Sequence, residues 1–428
     1  MNWLFIHQNF PAQYVHVARY LAAQGDRVCF ITQQKEREIE RVRKIVYAPR
    51  RQNSRVHPFV REFEASIENG LAVAQICEAL KREGFQPDMV IGHNGWGETL
   101  YVKDCWPSTP LLSYFEFFYH ATGTDLDFDP EFPPNPGDAM RIRTRNVINL
   151  LGLESADWGQ TPTEWQRSQY PRRYWRQISV IHEGIDTNVV KPDPNARLWL
   201  RGGLNLSRDD QVITYSARNL EPYRGFHVFM RALPALLDRF PKARVLIVGA
   251  NGVSYGRRPT QAASWREQML AELGDRLDPG RVHFLGRIPY VQYLAVLHIS
   301  SVHVYLTYPF VLSWSFLEAM AAGCLMVSSR TPPVEEVITD GENGYLVDFF
   351  DREALQERIA EALTHPDRGA AIRAAARQTA VSRYDLTTVC LPAYLALLRR
   401  LLRRTRQPGA PDIDNIPESA PPLAIRRA

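Results

Sequence analysis

The 428-residue sequence has few cysteines and few lysines, and each scarcity excludes a class of protein. Its five cysteines are scattered and form no C-x-x-C pair, which excludes a disulfide scaffold and a zinc ribbon and fits a reducing cytosol. Only six of the 51 basic residues are lysine. Arginine suits bidentate phosphate contacts, although a GC-rich genome explains the bias equally well. The net charge of +4 is too small to indicate nucleic-acid binding without a recognition module.

The sequence also lacks the marks of a targeting segment and of a membrane span. Residues 1–7 favour a short strand over a signal peptide, so we expect a cytoplasmic protein. Residues 288–317 contain no Asp, Glu, Lys or Arg and are long enough to cross a bilayer. Because this run holds His298, His303 and several serines, and its periodicity changes from helix-like to strand-like, we predict a buried α/β core instead.

Metal and nucleotide-triphosphate motifs are missing as well. The sequence contains no H-E-x-x-H, no P-loop and no D-x-D on a predicted strand edge. Residues 125–129 read DLDFD, but in a Pro-rich loop they favour a solvated acidic turn over a metal site. We therefore expect no metal and no cofactor.

Apolar runs alternate with amphipathic helices along both halves of the chain. This alternation predicts parallel sheets with helices on both faces. The predicted strands are 2–7, 27–32, 88–92, 111–115, 158–161 and 179–182 in the first half, and 212–216, 243–248, 282–285, 302–307, 325–328 and 344–347 in the second. The fold class is thus α/β, with two Rossmann-like, doubly wound domains in tandem and a ligand cleft between them.

A polar stretch with two prolines between residues 189 and 209 predicts the domain boundary. We assign residues 1–188 to an amino-terminal domain, 189–383 to a carboxyl-terminal domain, 384–404 to a helical segment, and 405–428 to a disordered, proline-rich tail. Two surface loops, the basic segment 41–60 and the Asp- and Pro-rich segment 124–136, are predicted to shape one side of the cleft. The basic one is expected to be mobile.

The strongest signal for chemistry is a loop that leads into a helix of small and apolar residues. Residues 310–323 read FVLSWSFLEAMAAG. The amino end of such a helix presents free backbone N–H groups, which suit an anion or a sugar hydroxyl. Glu318 lies one turn into this helix, although by composition alone such a residue is more often a partly exposed surface carboxylate.

This block resembles the donor-binding segment of the retaining, family-4 glycosyltransferases of the GT-B fold. In that family the segment reads roughly Glu-Gly-Phe-Gly and then Leu-Glu-Ala-Met-Ala-x-Gly. Residues 336–347 also match its later Glu-Val-Ile and Asp-Gly-x-Asn-Gly-x-Leu-Val pieces. The resemblance implies that Glu318 binds the ribose of a nucleotide sugar, and that a carboxyl-terminal helix crosses back onto the amino-terminal domain.

One position of the block departs from the family pattern. Phe310 stands where the family has its first Glu, which normally lies close to the reacting sugar. Backbone N–H groups need no particular side chain, so Val311, Leu312 and Ser313 remain donor-binding candidates together with Phe310.

A second segment, residues 215–225, reads YSARNLEPYRG and joins a predicted strand to a predicted helix. Arg218, Arg224 and the positive end of the helix converge there, which suits a diphosphate that gains charge as it leaves. The segment is similar to the family's Gly-Arg-x-x-x-x-Lys-Gly, with Arg224 at the Lys position and one extra residue. Alone it would be interpreted as two solvated arginines; beside the Glu318 block we predict that both act in catalysis.

Three weaker signals complete the expected donor side. Gly249 and Asn251 follow a buried strand and could admit a phosphate or a base close to the backbone. Arg287 lies in a loop that resembles the family's base-contacting loop. Gln8 and Phe10 occupy the first strand-to-helix turn, where the family often has a pair of glycines.

The first half supplies the expected acceptor side. A strand ends at His93 and Asn94, and both are predicted to lie near the cleft. The family's better-known His falls by spacing on Glu116. His120 could reach the same space if residues 116–120 are helical, because positions i and i+4 share a face, so both remain candidates for touching the sugar.

Together the resemblance implies transfer of a sugar from a nucleoside-diphosphate sugar to an acceptor hydroxyl, with retention at the anomeric carbon. The expected partners are therefore the nucleotide sugar and a glycan or glycolipid acceptor, with no nucleic acid. Two alternatives stay open, a GT-B nucleotide-sugar epimerase and a non-catalytic nucleotide-sugar-binding protein. Residues 397–404 read LLRRLLRR, which fits either a peripheral contact with the inner face of a membrane or packing between domains.

Overall fold

Two parallel sheets organise the chain, one in each half. The computed structural model describes residues 1–49, 55–200 and 202–406. Within these ranges the first sheet has seven strands in the order β3-β2-β1-β4-β5-β6-β7, and the second has six in the order β12-β11-β10-β13-β14-β15. In both sheets the strand order reverses once, between β1 and β4 and between β10 and β13, and such a reversal opens a crevice for ligands.

The amino-terminal domain contains the first seven strands and six helices. Its strands are β1 (Asn2–Ile6), β2 (Arg27–Thr32), β3 (Val42–Val46), β4 (Met89–His93), β5 (Leu111–Tyr114), β6 (Trp158–Thr161) and β7 (Ile178–Val180). Its helices are α1 (Val15–Ala23), α2 (Arg61–Arg82), α3 (Val102–Cys105), α4 (Asp138–Arg145), α5 (Val147–Ser155) and α6 (Glu164–Gln169).

The carboxyl-terminal domain repeats the pattern after a short antiparallel hairpin of β8 (Leu198–Trp199) and β9 (Asn205–Leu206). Its sheet is built from β10 (Val212–Asn219), β11 (Arg244–Ala250), β12 (Val282–Gly286), β13 (Val302–Tyr305), β14 (Met326–Ser329) and β15 (Tyr345–Val347). Its helices are α7 (Phe226–Arg239), α8 (Trp265–Leu273), α9 (Tyr290–His298), α10 (Trp314–Ala321), α11 (Pro332–Glu335), α12 (Arg352–Thr364) and α13 (Gly369–Tyr384).

Both sheets are buried on their two faces because most of their inner strands are rich in apolar residues, whereas the edge strand β3 carries Arg43 and Lys44 and is partly exposed. In β1, Trp3 and Phe5 pack into one cluster while Leu4 and Ile6 pack into the cluster on the opposite face. This two-sided burial is typical of parallel sheets covered by helices, and it confirms the predicted α/β class.

The last helix, α14 (Leu391–Arg406), returns to the amino-terminal domain. Leu397, Leu398 and Leu401 are buried in the cluster that also holds Phe5 and Phe30 of the first sheet. The predicted crossing of a carboxyl-terminal helix is confirmed. The apolar face of this helix is therefore covered by protein.

Two predictions about loops were wrong. Residues 42–46 of the basic segment form the edge strand β3, in register with β2, and Lys44 pairs with Glu38 at 2.6 Å. Charged side chains suit an edge strand because they oppose pairing with another chain. Residues 50–54 of this segment lie outside the described residues.

The acidic segment is the second case. Asp125 and Asp129 are buried, with 7% and 3% of their surface exposed, so residues 125–129 are not a solvated turn. Residues 121–136, called the arm below, leave the amino-terminal domain and pack on the carboxyl-terminal domain. The sequence conceals this because the partners of the two carboxylates lie about one hundred positions away.

Residues 288–317 form α9, β13 and the start of α10, as predicted for buried α/β core. No helix in the described part of the chain is long and apolar enough to cross a membrane. The predicted domain boundary at 188/189 falls between β7 and β8. Of the predicted tail, residues 405 and 406 belong to α14, and 407–428 lie outside the described residues.

Candidate active site

The carboxyl ends of the central strands of both sheets face one cleft. On the amino-terminal side, His93 is the last residue of β4 and Glu116 follows β5 by two residues. On the opposite side, Arg218 lies near the end of β10, and Arg224 ends the short 3-10 turn Pro222–Arg224 after it. Arg218 and Arg224 both act electrostatically on Glu116, so the structure brings these three predicted residues together.

Glu116 is a carboxylate in a deep, partly dry position. Its pKa is raised to about 7, mainly by burial; the nearby charge of Glu183 acts in the same direction, while Arg218, Arg224 and Arg145 act in the opposite one. A quarter of its side chain remains exposed. Near neutral pH the group therefore carries a proton about half of the time, a state suited to proton exchange or to donating a hydrogen bond.

The tautomers of two buried histidines behind Glu116 follow from their hydrogen bonds. The backbone N–H of Gly95 donates to His93 Nδ1 at 3.0 Å, and that of Asn9 donates to His7 Nδ1 at 2.9 Å. Burial lowers the pKa of His93 far below its usual value and that of His7 to about 3. Both rings are therefore neutral with the proton on Nε2. His93 Nε2 lies 3.8 Å from Glu116 Oε2, beyond hydrogen-bond distance, and has no hydrogen-bond partner among the described residues, so its proton is available to a substrate oxygen beside Glu116.

Arg224 is held rigidly although it is charged and nearly buried. Its Nη1 donates to Tyr305 OH at 3.1 Å, to Thr307 Oγ1 at 2.7 Å and to the carbonyl of Val311 at 2.9 Å. Its guanidinium carbon lies 5.6 Å from the centre of the Tyr255 ring. These contacts hold the cation in place before a ligand arrives, which is the condition for electrostatic stabilisation without reorganisation. Arg218, by contrast, is exposed.

Glu318 lies beside the loop that was predicted to contact the base. Tyr290, which follows residues 286–289 directly, donates from its OH to Glu318 Oε1 at 2.8 Å. Burial raises the pKa of Glu318, while hydrogen bonds from Tyr290 and Tyr293 lower it. The helix and the loop that the motifs indicated are therefore neighbours in space. Arg287 is exposed on this loop.

The amino end of α10 is less open than the sequence suggests. The N–H of Ser313 donates to Tyr305 OH at 2.9 Å, and the carbonyl of Val311 is occupied by Arg224. Trp314 donates from its Nε1 to Glu183 Oε2 at 2.9 Å and thereby joins this end of the helix to the other domain. The N–H of Ser313 is therefore not free for a sugar hydroxyl.

Three of the predicted donor residues have side chains in the apolar core. Phe310 is 2% exposed, and its ring packs 4.6 Å from Phe117 and 4.9 Å from Tyr255, measured between ring centres. Leu312 is buried in the cluster around α10. Phe10 is buried against Phe30 in the amino-terminal core. Each is placed by apolar packing, which no local motif reveals.

Gly249 and Asn94 also have structural roles. A Cβ on Gly249 would lie 2.7 Å from Leu220 and 2.8 Å from the carbonyl of Ala217, so the missing side chain allows close packing rather than the approach of a phosphate. Asn94 donates from Nδ2 to the carbonyl of Ile148 and to Asn149, which ties β4 to α5.

The helix that was to bring His120 towards the sugar does not form. Residues 115–120 are irregular, and the His120 Nε2 lies 2.9 Å from the carbonyl oxygen of Gln169. Of the two alternatives for touching the sugar, the structure brings Glu116 to the arginines, whereas the ring of His120 is engaged with the backbone. Asn251 is exposed after β11, and Gln8 contributes its backbone N–H to Glu98.

Three side chains of this region were missed by sequence reasoning. Glu98 is fully buried, and its Oε1 accepts from the N–H of Gln8 and from Tyr47 OH, both at 3.1 Å. Glu183 and Arg145 reach Glu116 electrostatically from elements far away in the sequence. The one available signal concerned Glu183, which belongs to residues 183–186 (EGID), a segment that resembles the family's Asn-Gly-Val-Asp.

Among the described residues, no group of three or more His, Cys, Asp or Glu side chains has the arrangement of a metal site. The independence from a metal stays a prediction.

Two protein-family models match the chain. The model of the glycosyl transferase family 4 group matches residues 24–190, and that of glycosyl transferases group 1 matches residues 203–379. Together they account for most of both domains.

Curated relatives match over part of the chain. The GDP-mannose-dependent alpha-(1-6)-phosphatidylinositol monomannoside mannosyltransferase of Mycolicibacterium smegmatis is 27% identical over 59% of this chain and 64% of its own length. The D-inositol 3-phosphate glycosyltransferase of Corynebacterium glutamicum is 26% identical over 53% of each chain. The chain thus spans about half to two thirds of the length of these relatives.

Solved structures match over nearly the whole chain. Sucrose-phosphate synthase from Thermosynechococcus elongatus superposes with a TM-score of 0.70 at 18% identity, covering 94% of this chain and 99% of that one. Anabaena HepE in complex with UDP-glucose gives a TM-score of 0.67 at 16% identity, covering 93% and 100%. At such identities the likeness concerns the fold.

Proposed function

Because the chain belongs to the family-4 and group-1 glycosyltransferases and has their GT-B fold, we propose that it transfers a sugar from a nucleoside-diphosphate sugar to an acceptor hydroxyl. The observation that carries this proposal is the convergence of Arg218 and Arg224 from one domain on Glu116 of the other. Two cations opposite a carboxyl group with a pKa near 7 fit a reaction in which a diphosphate leaves while a proton moves.

The arginines stabilise the leaving group. As the bond between the sugar and the diphosphate breaks, negative charge accumulates on the diphosphate oxygens, and Arg224 is already fixed by three hydrogen bonds. Interactions that strengthen as this charge develops lower the barrier more than they tighten ground-state binding.

Retention follows if the leaving diphosphate accepts the acceptor's proton on the same face of the sugar. In this scheme Glu116 lies next to the sugar and donates or accepts a hydrogen bond, with His93 Nε2–H beside it. Since Phe310 is buried in an aromatic cluster, a carboxylate at that position is not available here, and Glu116 is the carboxyl group that this cleft offers instead.

Glu318 and Tyr290 bind the ribose and the edge of the base. Their direct hydrogen bond and their position at the end of the base-contacting loop support this role. The relatives suggest a donor such as a guanosine-diphosphate hexose and a glycolipid or inositol-type acceptor, so we place the reaction in glycoconjugate synthesis.

Contact with a membrane would have to use surfaces other than the apolar face of α14, because that face is buried. The exposed arginines Arg172, Arg173 and Arg176 offer a basic surface to an anionic bilayer. Flotation with vesicles containing an anionic lipid tests this contact, and vesicle binding that is unchanged in the triple Arg→Ala variant would exclude this surface.

The first test is thermal shift with a panel of nucleoside diphosphates and their sugars, because a ligand that binds the native state raises the melting temperature by mass action. We expect one nucleotide to stabilise the protein, and Arg224→Ala to abolish that shift. Arg368→Ala, an exposed arginine of the same domain, is the matched control and should retain it. A panel without any shift, or a shift that survives in Arg224→Ala, would contradict the proposed site.

Turnover distinguishes the transferase from its alternatives. An epimerase would isomerise or hydrolyse the stabilising nucleotide sugar without an acceptor, and a binding protein would consume none under any acceptor. The relatives named above are both transferases, so neither alternative is favoured.

A further inference from the structure

The arm, residues 121–136, reaches from the amino-terminal domain into the other domain and makes buried polar contacts there. Asp129 Oδ2 lies 3.0 Å from His227 Nε2, and both side chains are 2% exposed. Tyr308 also donates from its OH to the same oxygen at 2.5 Å. Both partners belong to the carboxyl-terminal domain, whereas Asp129 Oδ1 accepts from the backbone N–H of Glu131 within the arm. One oxygen of the carboxylate is therefore engaged across the domain boundary.

Aromatic side chains of the arm surround the contact between Asp129 and His227. The Phe128 ring packs 5.1 Å from both Tyr308 and Phe349, measured between ring centres. The Phe132 ring packs 5.2 Å from Trp265. These rings exclude water from the contact, so breaking it would leave buried polar groups without partners, which is costly. The arm is therefore continuous with the core of the opposite domain.

A second carboxylate of the arm touches the arginine-bearing turn. Tyr223 donates from its OH to Asp125 Oδ2 at 2.8 Å, and Tyr223 immediately precedes Arg224. The N–H of Tyr308, whose OH binds Asp129, donates to the carbonyl of Tyr223 at 3.0 Å. Asp125 contacts Tyr223 directly, and Asp129 is connected to it through Tyr308. The turn that carries Arg224 is thus held from the side of the amino-terminal domain.

We propose that the arm is a latch that keeps the two domains in one arrangement without ligand, and that Asp125 and Asp129 are positioning residues that set the place of Arg224 through Tyr223 and Tyr308. The part concerning the diphosphate rests on the proposed function. The latch itself does not, because the contacts above are independent of any substrate. The two domains should therefore already have this arrangement before the nucleotide sugar binds.

Distances between the domains test the latch. The native cysteines of the chain are all buried, so spin labels can be attached through Gln24→Cys on one domain and Glu353→Cys on the other, both exposed positions. Without nucleotide, double electron–electron resonance should give one narrow distance distribution. Asp129→Ala should broaden it.

The control is Asp127→Ala, because Asp127 is an exposed carboxylate of the same arm that accepts from Gly123 within the segment. It should give the distribution of the parent protein. If Asp129→Ala does not fold, Tyr308→Phe removes one hydrogen bond to Asp129 and leaves the contact with His227. A broad distribution in the parent protein, or variants indistinguishable from Asp127→Ala, would overturn the latch.

Binding of UDP and GDP tests the positioning. Asp125→Ala should lower the affinity for the nucleotide that binds by about fivefold or more. A loss of this size is expected when a hydrogen bond to a charged group disappears. Asp125→Asn keeps an acceptor for Tyr223 and should restore binding to within about twofold, which general destabilisation would not do. Binding by Asp125→Ala at the parental affinity would overturn the positioning role. If the parent protein binds none of the nucleoside diphosphates of the thermal-shift panel, the proposed function fails, and the distance measurement decides the latch by itself.

Discussion

Replacing Glu98 by glutamine should raise the stability of the protein relative to the parent, and this gain should be larger at pH 8 than at pH 5. Glu98 is fully buried, and its Oε2 has no partner among the residues that the structure describes. Burial raises its pKa from 4.5 to about 7. A carboxyl group whose pKa is higher in the folded than in the unfolded state favours folding while both states are protonated, below about pH 4.5. This contribution is lost as the pH rises through about 7.

The size of the effect follows from these two pKa values. Between pH 5 and pH 8 the shift from 4.5 to about 7 removes about 2.5 kcal/mol from the free energy of unfolding. Since the residue belongs to a domain of about 200 residues, the loss corresponds to about 5 to 10 °C in its melting temperature. Glu98→Gln has no carboxyl group that titrates at this position. Between pH 5 and pH 8 its melting temperature should therefore fall by about 5 to 10 °C less than that of the parent protein.

The measurement is thermal unfolding of the parent protein and Glu98→Gln at both pH values. Any fixed cost of the new amide group is the same at pH 5 and pH 8 and cancels in the difference between them. Glu40→Gln is the control, because the side chain of Glu40 is 90% exposed and its removal should leave the pH dependence unchanged. An equal gap between parent and Glu98→Gln at pH 5 and pH 8 would refute the reasoning.

Three further changes have definite expected outcomes. Burial raises the pKa of Glu116 to about 7, so above that pH a negative charge opposes the bound diphosphate. The nucleotide affinity measured by calorimetry should therefore fall from pH 7 to pH 9. Glu116→Gln should make this affinity less dependent on pH. A parallel profile in the variant would contradict this. Gly225→Ala should cost about 2 to 3 kcal/mol of stability, because its φ is +64° and the new Cβ would lie 2.3 Å from Leu306. Gly123→Ala, with a φ of +76° and nothing within 4 Å, should cost less, and equal losses would refute the steric argument. Glu336→Ala removes the acceptor of the first two N–H groups of α6, at 2.9 and 2.7 Å, so hydrogen exchange there should accelerate; unchanged exchange would show that this cap across the domains is dispensable.

Much of the fold could be predicted because its signals are local. The strands of both sheets are continuous apolar runs separated by amphipathic helices, and this pattern is present in the chain before any contact forms. The edge strand β3 escaped prediction because Arg43 and Lys44 interrupt its apolar pattern, and it depends on pairing with β2.

The candidate site divides in the same way. Arg218, Arg224 and Glu318 stand out because their segments resemble motifs of the glycosyltransferase family, whereas composition alone would place them among solvated side chains. Glu98 and Glu183 carry no such mark. Their environment is built from residues distant in the chain, and burial, which raises the pKa of Glu98, cannot be calculated from the residues beside it.

The sequence by itself determined two parallel α/β domains with a cleft between them, because these follow from periodicity and from the ends of strands. Its resemblance to a known family indicated the arginines on the carboxyl-terminal side of that cleft. Only the tertiary structure decided that Phe310 is a core residue, that Glu116 rather than His120 faces the arginines, and that the acidic arm is buried. The physical reason is that burial and pairing are properties of a site in space. A carboxylate that is buried against residues from distant parts of the chain can have the same neighbours in the sequence as a carboxylate that is exposed to water.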